Sequence, residues 1–219
     1  MNPTEFIPVA EETGLIIPLG HWVLTEACRQ AVAWDLEARR PLRMSVNVSG
    51  RQIHQAGFAD QVAQVLASTG FDPARLTLEL TESVLMQDVE VTAATLGDLK
   101  RLGVRLAIND FGTGYSSLSY LRRFPIDELK IDRSFVATVN VGPDQSALVR
   151  SILKLGDTLN LETVAEGIEE ADQLHELQGL GADLGQGFYF AKPLTSEAIS
   201  TLLAGDGVLD GTTAERDAA

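Results

Sequence analysis

Carboxylates stand in this chain where apolar segments do not normally tolerate them. Glu79 lies inside LTLELT, Glu166 closes TVAE, and Asp110 and Asp132 follow the apolar runs RLAI and LKI closely. An ionised carboxylate buried without a partner costs several kcal/mol, so each needs a cation or a set of donors facing it. A lysine or arginine would make a buried ion pair. Lys130, itself costly within ELKID unless it faces carboxylates or phosphate, offers that partner to Asp132 or Glu166. A divalent cation would serve as well. With Asn47 of MSVNVS added, the set is rich in oxygen and points to Mg²⁺ or Mn²⁺. No cluster of His or Cys suggests zinc, and His21, His54 and His175 stand singly as helix or surface residues.

Neighbouring features have milder readings when taken alone. Glu82 follows Glu79 closely enough to cap the turn after the strand. In NDFGTGYSSL, Asp110 precedes glycines and serines that suit a tight loop approaching a ligand. The same residues also suit a plain glycine turn leading into a serine-capped helical turn at 116–121. The DFG triplet occurs in protein kinases too, but no HRD loop or glycine-rich nucleotide loop accompanies it. The glycines of GLGADLGQGF make no dinucleotide fingerprint. Trp22, Cys28 and Trp34 fall on a helix with apolar spacing and read as core.

These residues need elements to hold them, and the hydrophobic pattern alternates between two periods. Short runs rich in Val, Ile, Leu or aromatics predict strands at Met44–Ser49, Leu76–Thr81, Val104–Ile108, Glu128–Ile131, Glu162–Ala165 and Gln186–Phe190. Helical spacing occupies Trp22–Arg39, Phe58–Ser68, Val89–Leu102, Asp144–Leu159, Ala171–Leu180 and Ser196–Leu203, with Pro41, Gly70, Gly103, Gly142 and Gly181 at the joints. Strand alternating with helix predicts an α/β fold with a mostly parallel sheet. A doubly wound sheet gathers ligand groups at one switch point, whereas a barrel collects them from many strand ends. Asn47, Glu79, Asn109, Asp110, Lys130, Asp132, Glu166 and Gln186 sit within or just after nearly every strand, which favours a TIM-like (β/α) barrel. About six of the eight units of a closed barrel are visible, so the expectation is an incomplete barrel domain over residues 1–204. From Gly205 the periodicity ends, and 205–219 reads as a disordered tail.

Composition narrows the partners. The 219 residues carry 31 Asp plus Glu against 17 Lys plus Arg, a net charge of -14. Such a chain does not grip a nucleic-acid polymer or an anionic bilayer through a broad basic face. A small anionic ligand stays possible if cations invert the local potential. The single Cys28 excludes an internal disulfide, and no run approaches the roughly 20 apolar residues of a spanning helix. The default location is the cytoplasm.

The motifs FIPVAEETGLI, SVNVSGRQI, LELTES, NDFGTGYSSLSYL, LKIDRSFV, TVAEGIE and QGFYFAKP, in this order, resemble the EAL-domain family of cyclic-di-GMP phosphodiesterases from about Pro3 to Leu203. The resemblance implies a β/α barrel that cleaves one phosphodiester of cyclic-di-GMP to give linear pGpG with two Mg²⁺ or Mn²⁺ ions. Asn47, Glu79 and Asp110 match family metal ligands, and Asp132 an acidic neighbour of that site. Lys130 matches a lysine near the attacking water, and Glu166 a general base or water-orienting glutamate. Gln186 matches a contact to substrate. Glu82 matches the residue that anchors the glycine-rich loop Phe111–Ser117, a loop associated in the family with metal occupancy and homodimers.

The chain departs from the pattern in two respects. The Glu-Ala-Leu motif and its following arginine are absent, which together with the unit count predicts a barrel short of its first two strands. Asn109 stands where the family usually has the first of two aspartates. It keeps an oxygen but loses a charge, which predicts weaker retention of a bridging metal and an impaired enzyme. The alternatives are a non-catalytic cyclic-di-GMP receptor or protein-interaction module, and a fragment without a function of its own.

Overall fold

Leu76, Leu78 and Leu80 are fully buried, and Thr77 and Glu79 between them are nearly so. A strand covered on both faces is the mark of a parallel sheet flanked by helices. In a computed structural model, which describes residues 2–38, 41–112 and 121–204, six strands follow one another across the sheet in sequence order, β1-β2-β3-β4-β5-β6. The pairs β1–β2, β4–β5 and β5–β6 run parallel. A doubly wound sheet would reverse its strand order at a switch point, and none occurs here. The winding is that of the barrel type, with the expected six strands. The described residues form two compact units, one within 1–107 and 117–126 and the other within 108–116 and 127–219.

The first unit opens with helices α1 (Pro3–Thr13) and α2 (Ile16–Ala38). Asn2 and Glu5 close a capping box on α1, and Gly14 ends it in the left-handed conformation at φ 77°. Strand β1 (Met44–Asn47) is followed by α3 (Gly50–Ile53) and α4 (Phe58–Thr69). Strand β2 (Leu76–Thr81) leads into α5 (Glu82–Leu85) and α6 (Val89–Arg101). Helix α2 buries Leu24, Cys28, Ala31 and Trp34 at helical spacing. Below β2, the Arg75 guanidinium forks onto Asp35 at 2.8 and 2.6 Å, donates to Leu42 O at 3.0 Å and lies 4.7 Å from the centre of the Phe71 ring.

Strand β3 (Arg105–Phe111) belongs to the first unit up to Ala107 and to the second from Ile108. The second unit continues with β4 (Glu128–Ile131), α7 (Arg133–Val136), α8 (Pro143–Leu159), β5 (Glu162–Glu166), α9 (Ala171–Leu180), β6 (Leu184–Gln186) and α10 (Ser196–Ala204). Helix α8 lies flush on β5, since a Cβ at Gly156 would come within 2.4 Å of Thr163 Cγ2. The Asp183 carboxylate accepts from the N–H and hydroxyl of Thr163 at 2.8 and 2.7 Å, pinning the start of β6 to that of β5.

Several expectations need correction. The run Gln186–Phe190 is not a strand, because β6 ends at Gln186 and the chain then turns, with Tyr189 N–H donating to Ile168 O and Phe190 N–H to Gly187 O. Strand β3 runs on past Ile108 through Asn109 and Asp110. Helix α2 begins at Ile16 rather than Trp22, and FIPVAEET is itself helical. Cys28 and Trp34 are core residues as expected, whereas Trp22 is 62% exposed. All of the turn at 116–121 but Leu121, most of the loop Phe111–Ser117 and the tail 205–219 lie outside the described residues.

Candidate active site

In the first unit, β1 ends on Asn47, whose register partner across the ladder is Glu79. A carboxamide and a carboxylate thus face each other across neighbouring strands. Val48 N–H donates to Glu79 O at 2.9 Å, carrying the ladder one residue past Asn47. Ser49 then caps α3 with Gln52, which is 5% exposed. Glu82, expected at the start of a loop, is the first residue of α5 and is buried at 5% exposure. The N-cap of that short helix is Thr81, and no side chain caps it, so the expected capping role of Glu82 is not what the structure shows.

In the second unit the sequence-predicted residues come together more tightly. Lys130 Nζ lies 2.5 Å from Glu166 Oε1. The register pairs Lys130 with Val164, two residues before Glu166, so lysine and glutamate share one sheet face. Lys130 is 3% exposed and Glu166 17%, so the glutamate is the member that solvent or a ligand reaches. Of the partners open to Lys130 from sequence, the ion pair is with Glu166. Gln186, exposed at the end of β6, is the register partner of Glu166.

Asp110 and Asp132 form a second, like-charged pair. Burial and then the neighbouring charge of Asp132 push the Asp110 carboxyl above the usual carboxylate range, against the opposing pull of Lys130 and Arg133. Burial acts the same way on Asp132. There, however, Ser134 and the Arg133 charge outweigh it and hold the carboxyl below its ordinary value. Ser134 donates its N–H at 2.9 Å and its hydroxyl at 2.5 Å to Asp132 Oδ1, which caps α7. Asn109 Oδ1 accepts the Asp110 N–H at 3.1 Å, and Asp110 has φ 55°, a conformation uncommon outside glycine. The left-handed residue thus falls inside β3, one position before its last residue Phe111.

Two supports escaped the sequence reading. Ser134 was visible as the Asp-x-Ser cap pattern in IDRS. Gly167, directly after Glu166, has φ 73°, and a Cβ on it would sit 2.5 Å from Arg133 Cβ. Only glycine lets β5 pass that close to α7. Among the described residues, no three His, Cys, Asp or Glu side chains converge closely enough to hold a metal ion by themselves. A cation bound to these groups would also draw on asparagine, water or ligand oxygens. No described helix is long and apolar enough to cross a membrane.

The family model for the EAL domain matches residues 1–193. The bifunctional diguanylate cyclase/cyclic di-GMP phosphodiesterase MucR of Pseudomonas aeruginosa is 43% identical over 204 residues, which are 93% of this chain and 30% of that protein. The cyclic di-GMP phosphodiesterase PdeR of Escherichia coli is 41% identical over 196 residues, 90% of this chain and 30% of that protein. The chain thus spans under a third of the length of these relatives. The structure of the PaMucR phosphodiesterase in complex with c-di-GMP superposes with a TM-score of 0.86 at 43% identity, covering 91% of this chain and 81% of that one.

Proposed function

The chain belongs to the EAL-domain family, and from that premise we propose that it is a divalent-metal-dependent phosphodiesterase domain that hydrolyses cyclic-di-GMP to linear pGpG. The observation that carries this reading is the Lys130–Glu166 pair at the ends of β4 and β5, with Asp110 and Asp132 in the same unit. Carboxylates and a buried ammonium at strand ends are what water attack on a phosphodiester needs.

Glu166, the more exposed partner, orients the attacking water and takes its proton. The water oxygen bonds to phosphorus, the bond from phosphorus to the 3′ oxygen breaks, and that oxygen leaves with a proton from solvent. Lys130 holds Glu166 in place and offers positive charge to the phosphate as negative charge builds on it. Gln186, beside Glu166 in register, presents a carboxamide that donates to and accepts from the substrate. When bound, divalent cations supply an acidified water and a positive clamp on phosphate oxygens. The donor chemistry fits such ions: all are hard oxygens, from Asn47 and Glu79 in the first unit and Asn109, Asp110 and Asp132 in the second. The Asp110–Asp132 pair, in which burial and repulsion disfavour one charge, is relieved by a nearby cation.

Asn109 lowers the negative charge of this set, so turnover is expected to be slow, and the domain acts in the cytoplasm on a soluble dinucleotide. A homodimer through the glycine-rich loop belongs to the same proposal. The second reading, a cyclic-di-GMP receptor, is favoured by the same Asn109 together with an exposed Gln186 elsewhere in the unit. Calorimetry with cyclic-di-GMP and Ca²⁺, followed by chromatography after exchange into Mn²⁺, separates the two. Binding with product supports the enzyme, and binding without product supports the receptor.

A further inference from the structure

Gln52 is an amide buried at 5% exposure, away from any charged partner, and it serves one end of β1. Its Oε1 accepts both the N–H and the hydroxyl of Ser49 at 3.1 Å, while its own N–H donates to Ser49 Oγ at 3.3 Å. Ser49 is two residues beyond Asn47. The residue between them, Val48, is tied to Glu79 O at 2.9 Å. The chain leaving Asn47 is therefore held at two successive amides, one by the neighbouring strand and one by Gln52.

Gln52 is in turn fixed from behind. A Cβ on Gly20 of α2 would fall 2.1 Å from Gln52 Nε2, 2.5 Å from Cδ and 2.6 Å from Oε1. Gly20 has ordinary helical backbone, and alanine is the better helix former, so the glycine is explained by the space Gln52 takes rather than by conformation. The amide therefore lies directly against the Gly20 backbone of α2 while keeping its bonds to Ser49, and an alanine methyl at Gly20 would have to displace it.

We propose that Gln52, seated on Gly20, is a positioning residue that sets the direction of Asn47 at the end of β1. This rests on the reading of Asn47 as a cation ligand. Outer groups that orient a ligand typically change metal affinity by about tenfold or more when removed. Gln52→Ala deletes the contact, Gly20→Ala keeps the amide but displaces it, and Gln52→Glu keeps an oxygen for Ser49.

The test combines amide hydrogen exchange with Mn²⁺ titration followed by the loss of the free-ion paramagnetic resonance signal. Gln52→Ala and Gly20→Ala are expected to speed exchange at Val48 and Ser49 while β4 and β5 stay protected. Both are expected to weaken Mn²⁺ binding about tenfold, with Gln52→Glu within about twofold of the parent. Unchanged exchange at Val48 and Ser49 in Gln52→Ala overturns the proposal. So does unchanged Mn²⁺ affinity where exchange has risen. A parent chain that binds no Mn²⁺ overturns the cation reading instead, and amide exchange then decides the positioning role alone.

Discussion

Lys130 Nζ and Glu166 Oε1 are 2.5 Å apart, on one face of two adjacent parallel strands, with the lysine sealed in and the glutamate reachable. This pair ties the core of the second unit to its proposed chemistry. A lysine at 3% exposure is tolerated because the carboxylate faces it, and the carboxylate is aimed because the lysine cannot move.

Removing one partner should therefore separate stability from activity. Lys130→Met leaves Glu166 without its ammonium and is expected to cost on the order of 3 kcal/mol in urea unfolding. The double variant Lys130→Met with Glu166→Gln should recover much of that stability. Neither should recover turnover, which is expected to fall at least about a hundredfold.

Gly167→Ala tests the close passage of β5 against α7. At φ 73° an L side chain is strained, and its Cβ would meet Arg133 Cβ at 2.5 Å. A loss of at least about 2 kcal/mol is expected in denaturant unfolding, with activity reduced because Glu166 is the preceding residue. An unaffected midpoint would mean that Arg133 yields.

Asp35 gives a pH dependence far from the candidate site. Hydrogen bonds from Arg75, against burial and helped by Leu42 N–H, hold its carboxyl below the usual range. A carboxyl lowered in the folded state binds protons more readily when unfolded. Its stabilisation is present above the ordinary Asp range and is lost as pH falls through the lowered value. Asp35→Asn should destabilise at neutral pH by about 1–3 kcal/mol, and the gap to the parent should close on acidification. A gap that is constant with pH would show that the charge of Asp35 is not what holds Arg75.

Asn109→Asp restores a charge beside Asp110, which burial and Asp132 already push upward. Mn²⁺ should bind roughly tenfold more tightly, and metal-free stability at neutral pH should fall. Calorimetric titration and thermal unfolding with and without Mn²⁺ read both effects.

How far the sequence carried depends on where the signal was local. Leu76–Thr81 and Glu128–Ile131 were placed at their observed limits because both are apolar runs bounded by a helix start or a turn. Lys130 and Glu166 stood out as charges inside such runs, and the structure pairs them. Phe188–Phe190 misled because an apolar triplet following glycine has strand propensity, yet the Gly187 backbone packs on Ile168 and forces a turn. Trp22 misled because helical spacing gives a face but not what covers it. The grip of Gln52 on Ser49 is a capping box that the S-x-x-Q spacing of SGRQ spells out, whereas the space that Gly20 leaves for Gln52 links two separate helices and had no local trace.

Incubating the chain with cyclic-di-GMP and Mn²⁺ and resolving the products by chromatography decides whether the domain is a phosphodiesterase. Linear pGpG is expected from the parent, formed faster by Asn109→Asp and abolished by Glu166→Gln. Cyclic-di-GMP left intact by both the parent and Asn109→Asp, with the proteins folded and Mn²⁺ bound, would contradict it.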